Sequence, residues 1–173
     1  MIGNYRKQKR LEEILRVNHS GELGAKYIYM GQAFILKNNA EIKEMLDQEI
    51  EHLNFFEEEI KNRNTRKSLL TPLWQAGGFA LGVVSALTSK NNAMQLTEKV
   101  EEVIIEHYSN QIAELKEFNE PELAEKIEQF KNDEKNHQDK AIMEGAKAAF
   151  FYKFFGTITE KISKTAIKVA EKI

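Results

Sequence analysis

The stretches Leu46–Phe56, LDQEIEHLNFF, and Phe130–Ala141, FKNDEKNHQDKA, each set a glutamate three residues before a histidine. The chain has four histidines, and two of them, His52 and His137, stand in these blocks. Both blocks read as helix. Around the first, Ile42, Leu46, Glu49, Leu53, Phe56 and Ile60 recur every three or four residues, the period of one helical face; around the second, the stripe is Leu123, Ile127, Phe130, Glu134, His137 and Ala141. Residues at i and i+3 share a face, so Glu49 with His52, and Glu134 with His137, each offer an oxygen and a nitrogen to one region.

Two other stripes hold a glutamate without such a histidine. Leu11, Leu15, Asn18, Glu22, Ala25, Tyr29, Gln32 and Leu36 predict a helix from about Leu11 to Leu36, and Thr97, Glu101, Ile104, Tyr108, Gln111 and Leu115 predict one from about Ala93 to Phe118. Between them, KNNAE makes a short connection to a helix over about 41–61, and NEPEL opens the last of the four with Pro121 in its first turn. An ionised carboxylate on a core-facing stripe is costly to desolvate, and no lysine or arginine shares these stripes. Metal ions supply the missing positive charge. The order Glu22, Glu49-x-x-His52, Glu101, Glu134-x-x-His137 is the ligand pattern of ferritin-like di-iron or di-manganese bundles. Four carboxylates neutralise two divalent cations, and two imidazoles leave positions for exchangeable ligands. Glu22 and Glu49 are 27 residues apart and Glu101 and Glu134 are 33, each interval fitting helix, turn, helix, so the halves read as two hairpins related by a rough twofold axis. The expectation is all-α: a ferritin-like four-helix bundle, one domain over residues 1–173. A plain bundle with these glutamates at stripe edges is the competing reading.

Further polar residues sit near these positions. Asp133, just before Glu134, is placed to hold the free nitrogen of a ligand histidine on a neighbouring helix. Gln48 occupies the corresponding place in the first half and Asp47 lies one residue earlier, so the symmetry is expected to stop at the ligands. His19 shares a face with Glu22, as a hydrogen-bond partner or proton relay. Tyr108 has the inward phase and His107 reaches only the edge of the site. Gly21 and Gly24 weaken the helix around Glu22, which fits bulky matter passing close to that turn.

The absence of cysteine excludes disulfides, thiolate metal sites and a cysteine nucleophile. With 25 Lys and Arg against 27 Asp and Glu and no basic block, nucleic acid is not an expected partner. The opening MIGNYRKQKRLEEIL turns charged too early for a secretory leader. Ser68–Ser89 has 22 residues without a charge, long enough to raise a membrane span. Pro72, Gly77, Gly78 and Gly82 argue instead for a broken apolar hairpin or short helix that caps the bundle and dips into one leaflet. From 154 to 173, Ile158, Ile162, Ala166, Val169 and Ile173 alternate with lysines, a basic amphipathic helix suited to packing or to a membrane surface.

The block RVNHSGELGAKYIYMGQ resembles the Coq7 family, the demethoxyubiquinone hydroxylases of ubiquinone biosynthesis. The likeness continues through DQEIEHL, SLLTPLWQAGGFALG, VEEVIIEHYSNQI and FKNDEKNHQDKA, covering about residues 10 to 145, and on to the closing ISKTAIKVAEKI. The resemblance places the metal ligands at the same six residues: Glu22, Glu49, His52, Glu101, Glu134 and His137. It implies two iron ions, dioxygen as co-substrate, and NADH or another external reductant as a transient partner. It places His107 and Tyr108 at positions concerned with electron or proton supply and quinone contact. It further implies a polyprenyl quinone or quinol substrate, with Leu69, Leu70, Leu73, Trp74, Phe79 and Leu81 as tail or membrane contacts. The expected setting is peripheral, on the cytoplasmic face of a bacterial inner membrane or the matrix face of a mitochondrial one. Partners from ubiquinone biosynthesis or a second copy of the chain fit this setting. Ser20, where the family commonly has alanine, and a trimmed first connection are departures. Another di-metal oxidase, a manganese catalase-like enzyme and a noncatalytic iron-binding protein are the alternatives.

Overall fold

The computed structural model describes residues 2–173, with six α-helices and, among the described residues, no strand. They are α1 (Ile2–Ile35), α2 (Ala40–Asn62), α3 (Thr71–Thr88), α4 (Lys90–Glu117), α5 (Pro121–Met143) and α6 (Tyr152–Ala170). A single 3-10 turn, Ala146–Ala148, precedes α6. Local chemistry sets the ends. Asn39 accepts the Ile42 amide at 2.9 Å to start α2, and Ser89 accepts the Asn92 amide at 3.0 Å to start α4. At the other ends Asn64 (φ 49°) and Asn119 (φ 56°) adopt the left-handed conformation that asparagine tolerates. The next amides, of Thr65 and Glu120, turn back to the carbonyls of Ile60 and Leu115, closing both helices alike.

Helices α1 and α2 form one antiparallel hairpin and α4 and α5 the other. Contacts between α1 and α4 run in opposite order, from Arg10 with Glu114 to Gln32 with the Ala93 carbonyl, so these helices are antiparallel. Across α2 and α5 the order runs from Lys140 with Glu44 to Arg63 with Glu120, with the same result. Joining two such hairpins requires one long crossover, and α3 provides it. Two apolar clusters fill the bundle. One gathers Leu11, Leu15, Phe56, Ile60, Tyr108, Leu115, Ile127 and Phe130; the other gathers Ala25, Tyr29, Ile42, Met45, Met94 and Ala141. On every one of the four bundle helices the glutamates of the sequence pattern fall between these clusters.

Of the two forms expected for the apolar segment, hairpin or short helix, the structure has the helix, Thr71–Thr88, and it lies along α1 instead of capping the bundle. Two of the three glycines that read as breakers, Gly78 and Gly82, are there for close approach, as is Gly31 of α1. A Cβ on Gly82 would sit 2.0 Å from the Ile28 carbonyl oxygen, one on Gly78 would sit 2.7 Å from that of Gly24, and one on Gly31 would sit 2.4 Å from that of Phe79. Backbones therefore touch where side chains would hold them apart. Among the described residues no helix is long and apolar enough to cross a membrane. Helix α1 also begins well before Leu11, because its polar first turns are fastened by Lys7 to Glu120 and Arg10 to Glu114. The last helix is Tyr152–Ala170, two residues earlier at its start than the pattern gave.

The glycine seam makes a testable contrast. Gly82→Ala is expected to destabilise the protein by about 1–3 kcal/mol through overpacking against backbone. Gly77→Ala, with nothing within 4 Å of the added carbon, is expected to be neutral or slightly stabilising. Urea denaturation of the two variants checks the difference.

Candidate metal centre

The four glutamates and two histidines converge in the layer between the apolar clusters. Glu22 on α1, Glu49 and His52 on α2, Glu101 on α4, and Glu134 and His137 on α5 are each at most 2% exposed. They form two overlapping tetrads. Glu22, Glu49, His52 and Glu134 make one, Glu49, Glu101, Glu134 and His137 the other, and within each tetrad the ligand atoms lie within 4.8 Å of one another. Glu49 and Glu134 belong to both. His52 presents Nδ1 to Glu134 Oε1 at 3.1 Å and Glu22 Oε2 at 3.7 Å, while His137 presents Nδ1 to Glu134 Oε2 at 3.0 Å and Glu49 Oε1 at 3.2 Å.

Hydrogen bonds outside the cluster fix these orientations. His52 Nε2 lies 3.3 Å from Asp133 Oδ2, the contact anticipated for Asp133. His137 Nε2 lies 2.8 Å from Gln48 Oε1, so the symmetry extends further than the sequence suggested, with Gln48 rather than the exposed Asp47 as the partner. A carboxylate or carbonyl acceptor at Nε2 puts the proton there and leaves Nδ1 free to bind a cation. Tyr29 donates to Glu101 Oε1 at 2.5 Å and Tyr108 donates to Glu22. Tyr29 had not been singled out, although the signal was present: each tyrosine stands seven residues, two helical turns, after the bare glutamate of its own helix.

One expectation needs correcting, the hydrogen bond from His19 to Glu22. His19 is buried but makes no hydrogen bond to Glu22; its Nε2 faces Glu57 on α2 at 3.4 Å, and Glu57 is bonded to Lys67. His107 bonds Gln111 at 2.7 Å rather than any glutamate of the cluster, and Gln111 is locked to Asn18 by a reciprocal amide pair at 2.8 and 2.9 Å. Burial pushes both imidazoles below their ordinary range, with Lys67 adding to the effect at His19.

The residues fit a pair of cations. Glu22 Oε2, both oxygens of Glu49, and Glu101 Oε2 are buried without a hydrogen-bond partner among the described residues. Such atoms are expensive to leave unpaired. Burial, then the charges of Glu134 and Glu22, hold the Glu49 carboxyl well above its ordinary 4.5. Burial and Glu134 do the same to Glu101, against the lowering effect of Tyr29. At Glu134 burial acts upward, but hydrogen bonds and charge from His137 and His52 outweigh it and hold the carboxyl at about 2. Burial would lower His52, yet its hydrogen bond to Glu134 and the nearby Glu22 carboxylate raise it to about 11. Without metal, protons on these groups stand in for positive charge.

An all-α bundle with a buried carboxylate and histidine centre shared between two helical hairpins defines the class. Residues 9–170 match the family described as ubiquinone biosynthesis protein COQ7, and the chain belongs to that family. It is 40% identical over 172 residues, covering 96% of this chain and 79% of the relative, to a Dictyostelium discoideum protein named NADPH-dependent 3-demethoxyubiquinone 3-hydroxylase, mitochondrial. It is 40% identical to the Saccharomyces cerevisiae protein named 5-demethoxyubiquinone hydroxylase, mitochondrial, over 94% of this chain and 78% of that one. A Rhodospirillum rubrum protein named 3-demethoxyubiquinol 3-hydroxylase is 35% identical, over 94% of this chain and 78% of its own.

The charge balance gives the metal-free protein a defined pH response. Glu49 and Glu101 keep protons in the fold that the unfolded chain loses above 4.5, so the cost of keeping them protonated, relative to the unfolded chain, grows as pH rises. His52 stabilises fully below 6.5 and loses that contribution as pH rises through about 11. Glu134 acts below this window, its contribution being lost as pH falls through about 2. The melting temperature of metal-free protein is therefore expected to fall by several degrees from about pH 5.5 to about pH 8. The increase produced by a divalent ion should grow over the same range, because binding displaces protons. Differential scanning fluorimetry with and without manganese(II) checks both trends.

Proposed function

We propose that the chain is a di-iron monooxygenase that hydroxylates the ring of a polyprenyl demethoxyubiquinone or its quinol, with dioxygen as co-substrate. The observation that carries this reading is an apolar cavity of about 240 Å³ on the two helices that hold Glu22 and Glu101. Its floor is α1 and α4, with Val17, Gly21, Gly24, Val100 and Ile104 facing the space. Leu73, Trp74, Gly77 and Leu81 of α3 form one wall, and Ile162, Ala166 and Ile167 of α6 form the other. Gly21, Gly24 and Gly77 have nothing within 4 Å of where a side chain would start, so their missing side chains leave the cavity open.

Among the described residues α3 and α6 do not pack on each other; the opening lies between them. Leu73, Leu81 and Ile162 line the cavity and are also exposed, and Leu69, Phe79, Val84, Phe154, Phe155 and Ile158 continue the apolar surface on either side. A mouth framed by two exposed apolar helix faces suits a long hydrocarbon tail that stays in lipid while the ring moves inward. Lys161, Lys164 and Lys168 on α6 add attraction to anionic lipid. The protein sits on the membrane as a peripheral enzyme, on the cytoplasmic face of a bacterial inner membrane or the matrix side of a mitochondrial one.

Glu22, Glu49, His52, Glu101, Glu134 and His137 would hold two iron ions, which when bound would supply the stepwise redox chemistry that lets dioxygen react with a closed-shell ring. The protein's own part is positional. Asp133 and Gln48 keep both imidazoles oriented through Nε2, Tyr29 and Tyr108 hold Glu101 and Glu22, and the apolar walls exclude water from the ring. An external nicotinamide cofactor is the reductant, in line with the NADPH dependence named for the Dictyostelium relative. His107, in its polar chain with Gln111 and Asn18, lies one residue before Tyr108 and is placed to serve proton or electron supply at that end of the site.

Conversion of a demethoxyquinone with incorporation of labelled oxygen, followed by mass spectrometry, is the test. Glu49→Ala and Glu134→Ala should each lower turnover at least ~100-fold, since each removes a ligand common to both ions. Gly24→Leu should fold and take up iron but lose turnover of the long-tailed substrate while retaining more of it with a tail-less analogue. Turnover of iron(II) or peroxide alone, without quinone hydroxylation, would support a different di-metal enzyme.

A further inference from the structure

The site repeats itself across the two hairpins with a precise offset between equivalent residues. Glu22 and Glu101 each have a tyrosine seven residues on, and Tyr29 and Tyr108 each bond the other helix's glutamate. Ten residues on stand Gln32 and Gln111; four residues before stand Asn18 and Thr97; and Gln111 bonds Asn18 as Gln32 bonds Thr97. These mirrored pairs match in charge. Three residues before each bare glutamate, His19 and Glu98 turn to partners outside the cluster, Glu57 and Lys147 respectively. Next to the metal-facing imidazoles the mirrored partners also differ in charge. His52 has the carboxylate of Asp133 at Nε2, whereas His137 has the neutral amide oxygen of Gln48 in the equivalent place.

We infer that the two metal positions are unequal, and that the one formed by Glu22 and His52 binds its ion more tightly and fills first because Asp133 backs its histidine. This deepens the metal-centre reading and rests on it. A carboxylate accepting the Nε2 proton polarises the imidazole and makes Nδ1 a stronger donor; an amide oxygen orients the ring with less polarisation. Asp133 also adds a negative charge at the Nε2 side of one imidazole, where the other has a neutral amide. Glu49 and Glu134 are common to both tetrads and do not discriminate. Asp133 and Gln48 are positioning residues here, acting through the histidines they hold.

The chain of residues 1–173 is loaded anaerobically with iron(II), the first equivalent as iron-57 and the second as ordinary iron, then the reverse. Mössbauer spectra identify the ion added at each step, and calorimetry gives the two affinities. Asp133→Asn, close to isosteric, should weaken the tighter step 10–100-fold and change the spectrum of the iron added first, leaving the other largely unmoved. Gln48→Glu should tighten the weaker step and change the spectrum of the iron added second; it decides the matter independently if Asp133→Asn does not fold. Equal changes in both steps, a change confined to the opposite step, or no change in either variant would overturn the inference while leaving the metal centre in place. A wild-type chain that takes up no iron would overturn the underlying reading as well.

Discussion

Four carboxylates brought into one dry layer of a helical bundle are the constraint on which this structure turns. Each is on a different helix, each is nearly inaccessible to water, and four of their oxygens have no hydrogen-bond partner among the described residues. Charges of one sign in such a place repel one another and lack solvent to relieve them. The bundle can close around them only with protons or cations to balance the charge, and the geometry of two overlapping tetrads suits cations. The apolar clusters above and below supply the stability that the polar layer does not, and they hold the helices in the register that makes the glutamates meet.

The same register explains why an apolar cavity shares two helices with a charged centre. Helices α1 and α4 carry the bare glutamates on their inner faces and small or branched apolar residues on the adjoining face, so one pair of helices separates the two environments. Helix α3 has two structural duties. It carries the chain from one hairpin to the other, and its glycines let it lie against α1 closely enough to form a wall while its outer face remains apolar. Helix α6 completes the other side, tied down where Arg16 donates to the Ala170 and Glu171 carbonyls.

Much of the site was legible because helical periodicity is a long-range ruler. A glutamate in phase with leucines predicts a buried carboxylate, and four such stripes predicted which six side chains would meet. Glycine was harder to read. In Ser68–Ser89 it signalled a break, since helix propensity treats each glycine as a local cost, but backbone contact between α1 and α3 outweighs that cost. The start of α1 was missed for a related reason: its first turns have no apolar stripe and are held by ion pairs to distant helices. Gln48 was discounted because an amide is not a carboxylate, although for orienting an imidazole the two accept the same proton. His19 has the right phase to meet Glu22, yet phase gives a direction and not a partner, and the acceptor it meets is Glu57.

The most direct measurement is X-ray diffraction from crystals of the iron-loaded protein, with anomalous maps calculated on either side of the iron edge. The account predicts two anomalous peaks in the layer between the apolar clusters, one bounded by Glu22 and His52, the other by Glu101 and His137, with Glu49 and Glu134 between them. A map without peaks there, or with iron only at surface carboxylates, would contradict it.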